Sequence, residues 1–431
     1  MLDKKSENPW KPEDEGDHFP IVKEWWTIET IFKTKEDDRK WNLVSSFSYK
    51  NDEKTCFFQY ILFDISSKKY VAYKDIDNEI EKLSFSKNKV DLVYEKSSIK
   101  GLYPNYKIHI EDPKNKLIAD IDYKAKSLPH WVAQNHTNGF LPIGLNYYRY
   151  GFLPNCDLSG TLKLKEKKYD IIGKGYIEHA YGNFLYKKPL KHIYNLKKTL
   201  SIYIKLGKWW LSENKPKIPQ KIKFTSENNL FGYDWIWGVF DNNWSIFFGN
   251  SMFWISEGPS FGALYLTQDG KNYLEFCNLR FRYLDSNYIK KYDMYYPKDI
   301  EITGILKDKK IKIRFLSITE SYEYIDPYEK DKFFKAWVLC ELPAKMVGYY
   351  KDKKRKINLE GDCKIVLLRV PSFFGHNSLN LNFLLPPKGL GLTIEIDSHY
   401  LKKQIISNIQ IAPKPRFKIN CKKMKKDYIS K

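Results

Sequence analysis

Apolar and polar residues exchange places one by one along most of this chain. From Ile21 onward the alternation runs in short stretches broken by turns, and a period of two marks strands with one buried face. "YKIHIEDPKNKLIADIDY" (Tyr106 to Tyr123) sets two such runs around a Pro-Lys-Asn turn and predicts a hairpin. "GALYLTQDGKNYLEF" repeats the pattern around Asp269-Gly270, a strong hairpin dipeptide, and "IEITGILKDKKIKIRF" does so around Lys307 to Lys310. Meanders at this density predict an all-β protein of sandwiches or barrels, not a parallel sheet with crossover helices.

One segment breaks the rhythm. Ile193, Leu196, Leu200, Tyr203, Leu206 and Trp210 recur in steps of three and four, while Lys191, Lys198 and Lys205 recur every seven residues on another face. That spacing predicts an amphipathic helix, and Pro216 and Pro219 then mark a linker. Between Lys187 and Lys223 stand eleven lysines and one glutamate. A helix of this kind either caps a barrel or lies on anionic lipid, so peripheral contact with an anionic membrane through residues 187–223 is one of two readings.

At 431 residues the chain exceeds one ordinary core. It divides into a flexible arm (1–20), a first β-barrel (21–186), the basic helical insert and linker (187–224), a second β-barrel (225–415) and a basic tail (416–431). No clean repeat relates the halves, yet each opens on an aromatic-rich strand ("EWWTIETIF", "YDWIWGVF") followed by hairpins. Apolar residues at 42% and aromatic ones at 16% supply a large interior and exclude global disorder.

The net charge of +21 comes almost wholly from lysine, with only eight arginines. Readers of nucleic acid favour arginine, and these lysines alternate with apolar residues as a solvated strand face does, so no nucleic-acid partner is expected. Six cysteines form no CxxC pair and no spacing near histidine, which argues against a disulfide framework or zinc site and for a reducing cytoplasm. The N-terminus lacks an apolar signal core, and no apolar run reaches the ~18 residues of a membrane span. A cytoplasmic protein, soluble or resting on a membrane surface, is expected.

The chemistry concentrates in "GKGYIEHAYGNF" (Gly173 to Phe184). Strand alternation puts Tyr176 and Glu178 on one face and His179 and Tyr181 on the other. If Glu178 faces an aromatic lumen, desolvation raises its pKa toward that of a general acid. His179 reads as a structural group fixing the strand end or linking the barrels. A bulge after Glu178 would bring both to one side, and Gly173, Gly175 and Gly182 suggest a bulge or a close backbone approach. The competing reading of the cluster is a buried polar seam between sheets. Asp234, alternating with Gly232 and Ile236, serves either a pocket or a core or turn. Trp25 and Trp26 read as barrel-bottom packing, Glu24 as the partner of a lysine, and His376 in "SFFGHNS" as a surface histidine. No Ser-His-Asp order, P-loop or HExxH motif supports a hydrolase, NTPase or zincin.

Three landmarks resemble the AttH/CrtC-like lipocalin family, which includes the carotenoid 1,2-hydratases. They are "EWWTIETIFKTKEDDRKWNLVSSFSY", "SGTLKLKEKKYDIIGKGYIEHAYGNF" and "GYDWIWGVFDNNWSIFFGNSMF", in family order from Glu24 to Phe253. The resemblance implies two tandem lipocalin-like barrels with a lipophilic small molecule held in or between them. It further implies hydration of a C=C bond of an isoprenoid-like substrate, without metal or organic cofactor. Glu178 would be the proton donor, grouped with Tyr176 and His179, and Tyr148, Tyr150, Tyr181, Asp234 and Trp237 would contact substrate. Protonating an alkene carbon leaves a cation that the faces of Tyr148, Tyr150 and Tyr176 would stabilise before water adds. The chain departs from the family in having Glu178 for aspartate, Tyr181 for tryptophan, Tyr148-x-Tyr150 for a His-x-Trp pair, and the basic insert. A lipid carrier without catalysis, and a cyclase or isomerase on the same fold, remain the alternative functions.

Overall fold

The computed structural model describes residues 9–184, 193–214, 221–224, 229–253, 261–292, 294–327 and 336–371, and the strands 381–385, 390–396, 405–411 and 417–423. All three hairpins expected from alternation are present: Asn105–Asp112 with Leu117–Ala125, Phe261–Thr267 with Tyr273–Phe276, and Met294–Leu306 with Lys309–Ser317. The molecule is all-β, built as two large antiparallel sheets, each around its own core as a barrel, with one long basic amphipathic helix.

The two large sheets share a plan. In the first, the aromatic opening strand Lys23–Thr34 lies between Lys40–Lys50 and Lys167–Gly182, and the latter leads on to Asn146–Leu164. In the second, Asn229–Phe240 lies between Ser245–Phe253 and Lys356–Pro371, which leads on to Ala336–Lys351. Each opening strand thus pairs with the strand after it and with the strand of its own sheet that comes last in the chain.

Alternation sorts the opening strand into two faces. Trp26, Ile28 and Phe32 enter the first barrel's core beside Trp41, Phe58 and Ile177. Trp25, Glu29 and Ile31 point the other way, toward the second barrel, whose own core holds Ile236, Phe248, Ile300 and Met346. Between the barrels a third cluster forms from both: Tyr150, Phe152 and Tyr176 of the first meet Trp235, Trp237, Phe247 and Tyr265 of the second. Burying such rings contributes on the order of 2 kcal/mol each, so the cluster fastens one barrel to the other.

Three stretches take a form that composition alone does not describe. Of the arm expected to be flexible, Trp10 and Glu15 to Asp17 are buried: Trp10 lies against Trp131, and Pro12–Glu15 forms a helical turn with Glu15 inside. Two of its charged residues are tied down individually, Asp14 by Arg149 and Glu15 by Tyr103 and Tyr106. The strands Leu381–Leu385, Leu390–Ile396 and Ile405–Ile411 form a five-stranded sheet with Lys221–Phe224 of the linker and Phe417–Lys423 of the tail, separate from the sheet of the second barrel. The tail therefore begins as a strand, since "FKINCKK" alternates beneath its lysine content. The helix runs from Leu196 to Asn214; Lys191, Pro216, Pro219 and His376 lie outside the described residues. No helix among the described residues is long and apolar enough to cross a membrane.

Candidate functional site

The strand Lys167–Gly182 pairs with Asn146–Leu164 in continuous register from Ile177 to Gly182: Tyr148 opposes Gly182, Tyr150 opposes Ala180 and Phe152 opposes Glu178. Directly opposed residues share a face, so Tyr148, Tyr150, Tyr176 and Glu178 stand together. The face is not the lumen. It is the outer wall of the first barrel, where the second barrel closes over it. No bulge follows Glu178; the irregularity lies across the ladder, between Leu153 and Cys156, and there the Pro154 carbonyl accepts a hydrogen bond of 2.8 Å from Trp237 Nε1. The glycines serve close approach: a Cβ at Gly175 would fall 2.3 Å from the Tyr123 ring, and one at Gly182 would fall 2.6 Å from Tyr148 Cα.

Glu178 is 8% exposed and surrounded by rings. Trp25 Nε1 donates to its Oε1 at 2.9 Å, and the Tyr176 hydroxyl donates to Oε2 at 3.1 Å. The Tyr150 hydroxyl also donates to Oε2 while receiving Trp235 Nε1 at 2.7 Å, so a second-barrel indole fixes the tyrosine that holds the acid. Burial raises the Glu178 pKa above its ordinary value, against the lowering pull of Tyr150, Trp25 and Tyr176, and Glu341 adds to the rise. Tyr148 sits half-buried at the rim, 6.1 Å from Trp25 and 5.2 Å from Phe184 between ring centroids. The Trp237 ring packs on Tyr176 at 5.5 Å. A protonated carboxyl with aromatic faces around it can deliver a proton and stabilise the cation that results.

The other expected site residues are elsewhere. His179 and Tyr181 occupy the opposite face. His179 donates through Nδ1 to the Asp14 carbonyl at 2.8 Å, faces Glu24 Oε1 through Nε2 at 2.7 Å and stacks on Trp26. Tyr181 accepts from Arg149 and stacks on His18, so it does not reach the aromatic site. Glu24 pairs with two histidines instead of a lysine, and it also accepts from Tyr49 at 2.6 Å. Burial alone would raise the Glu24 pKa, but the hydrogen bonds from His179 and His18 outweigh it and hold the carboxyl below its ordinary value.

Nδ1 of His18, Oε1 of Glu24 and Nε2 of His179 lie within 4.8 Å of one another, a donor set of metal-site type. Their contacts of 2.7 and 2.8 Å to the shared oxygen are hydrogen-bond lengths. Ligands at about 2.1 Å from one tetrahedral ion would stand about 3.4 Å apart, so the geometry suits a hydrogen-bonded triad that ties His18 to the strands carrying Glu24 and His179.

Asp234 faces the core of the second barrel and is fully buried, with Arg369 Nη2 at 2.8 Å and a hydrogen bond from Tyr283. It is removed from the aromatic site by the same alternation that sends Trp235 and Trp237 into it. Trp25 and Trp235 join the site although alternation alone does not single them out. The signal was present in the parity of "EWW" and "DWIW", but the acceptors of the two indoles lie 153 and 85 residues away. A surface depression of 680 Å³ lined by Lys100, Asn105, Tyr106 and Asp122 shares no residue with the cluster.

No family model and no curated protein sequence matches the chain. Solved structures match it in shape. A Nitrosomonas europaea protein described as AttH superposes with a TM-score of 0.56 at 10% identity, over 83% of this chain and 95% of that one. Kievitone hydratase from Nectria haematococca superposes with a TM-score of 0.53 at 13% identity, over 84% of this chain and 98% of that one. At such identities the likeness is one of architecture, and in architecture the chain carries the tandem lipocalin-like fold of the AttH/CrtC type.

Proposed function

We propose that the chain adds water to a carbon–carbon double bond of a lipophilic, isoprenoid-like substrate, with Glu178 as the acid. The observation that carries this reading is a carboxyl buried between the barrels among aromatic walls, its pKa raised by that burial. The protonated carboxyl gives its proton to one alkene carbon, and the π electrons form the new C–H bond. Positive charge develops on the neighbouring carbon, opposite the faces of Tyr148, Tyr150 and Trp25. Water attacks that carbon and returns a proton to the Glu178 carboxylate, so the acid is regenerated and one water is consumed. Tyr150 and Tyr176 hold the carboxyl for both steps, and Trp235 positions Tyr150. That one neighbour in the same fold is named a hydratase supports the reading.

Glu178→Gln tests it, because the amide oxygen still accepts from Trp25 while the acid is gone. The variant is expected to copurify with the same lipophile as wild type and to lose turnover by about 10²-fold or more. Product formation at the wild-type rate would remove Glu178 from the mechanism. A lipophile that wild type always returns unchanged would make the protein a carrier.

A further inference from the structure

The helix Leu196–Asn214 has three sectors. Thr199 and Ile202 are buried; on the same side the Tyr203 hydroxyl donates to the Gly144 carbonyl at 2.9 Å, and Trp209 stacks on His136 at 4.2 Å. This face caps the first barrel beside the inter-barrel aromatic cluster, against which Trp209 packs. Leu196, Leu200, Ile204 and Leu211 belong to a second sector. At 100° per residue they fall within an arc of about 80°, and they are 41%, 50%, 57% and 53% exposed. Gly207 falls in the same arc, and a Cβ there would meet nothing within 4 Å. Lys197, Lys205 and Lys208 form the third sector, all exposed, and Glu213 is the helix's only acidic residue.

An aliphatic ridge turned to solvent and bordered by lysines has the form of an interfacial helix. We propose that this ridge docks the protein on an anionic lipid surface, its leucines and isoleucine among the acyl chains and its lysines among the headgroups. Charge selects this occupant over a second copy of the chain, because two molecules of net charge +21 meeting lysine sector to lysine sector repel. The capping and lipid-binding readings of the helix then hold together, on different faces. A docked helix also stands at the rim of the aromatic cluster, where a lipophile leaving the bilayer would arrive. The proposal rests on the helix alone and stands whether or not Glu178 is an acid.

Cosedimentation of the full chain with vesicles tests it, using phosphatidylcholine alone and phosphatidylcholine with about a third phosphatidylserine. Binding is expected only to the anionic vesicles and is expected to weaken as salt rises. Leu196→Ser/Leu200→Ser/Ile204→Ser and Lys197→Ala/Lys205→Ala/Lys208→Ala should each lower the partition coefficient at least about tenfold with Tm unchanged. No binding to anionic vesicles at low salt would overturn the proposal. So would an aliphatic variant that partitions like wild type, since only diffuse attraction of a cationic chain would then remain. A dimer in solution that the aliphatic variant abolishes would reassign the ridge to self-association.

Discussion

Burial and hydrogen bonding act on Glu178 in opposite directions. Removing a carboxylate from water costs several kcal/mol, and each hydrogen bond to the charged form returns roughly 1.5–3 kcal/mol. The balance leaves the pKa raised despite donation from Trp25, Tyr150 and Tyr176. A general acid works while protonated, so turnover should fall as pH rises through the Glu178 pKa. Trp25→Phe removes a donor that favours the anion, and it should move that alkaline limb upward by about one pH unit in the kcat profile. A limb that stays in place would mean that Trp25 does not act on the titrating group. In the second barrel, Arg369→Met leaves Asp234 buried without its guanidinium partner and should cost about 3–5 kcal/mol, read from the urea midpoint. Pairings of this kind were only half legible. Strand parity grouped Tyr176 with Glu178 and parted His179 from it, as found. Parity alone does not say which face is the lumen when both faces of "EWW" are aromatic, and it leaves Asp234 open between a pocket and a core.

Among the elements, the strap from Trp10 to Pro20 departs most from what its composition suggests. Its acidic, proline-bearing sequence reads as solvated, yet Glu15 is buried and accepts from the Tyr103 amide and the Tyr106 hydroxyl, 88 and 91 residues on. Periodicity cannot register a partner at that distance. Burial lifts the Glu15 pKa to about 7 from 4.5, against the opposing pull of Tyr106 and Tyr103. The folded chain therefore holds a proton that the unfolded chain releases between pH 4.5 and about 7. The contribution of Glu15 is complete below pH 4.5 and is lost as pH rises toward 7, a change of up to about 3 kcal/mol. Glu15→Gln should flatten that slope in urea-unfolding measurements across the same window. The long helix was legible in its period, but its register was misleading: Leu196 and Leu200, which scan as core positions, face solvent, and Thr199 and Ile202 carry the contact.

At the scale of the molecule, two barrels that each have a complete core are joined by a mixed interface. Beside the aromatic cluster runs a buried polar seam, in which Lys364 reaches Glu341 at 3.0 Å and the Asn42 side chain at 3.2 Å, while Asn42 leans on Glu29. Burial pushes the Glu29 pKa well up; Lys364 opposes the rise and Glu341 adds to it. Lys364→Met leaves these carboxyls without their cation and should destabilise the chain by about 3 kcal/mol, with urea unfolding as the measure. The tandem-barrel architecture was readable from three landmarks in order. The five-stranded sheet was not, because its strands come from the linker, the end of the second half and the basic tail. Placing the candidate acid between barrels, outside either lumen, means that both halves of the chain build the site. The direct test is accurate mass of the copurified lipophile after incubation with purified protein in ¹⁸O-labelled water. Wild type should yield a product heavier by one water that carries the solvent label, and Glu178→Gln should return the lipophile unchanged. A product of unaltered mass from wild type, or a labelled product from Glu178→Gln, would contradict hydration by this carboxyl.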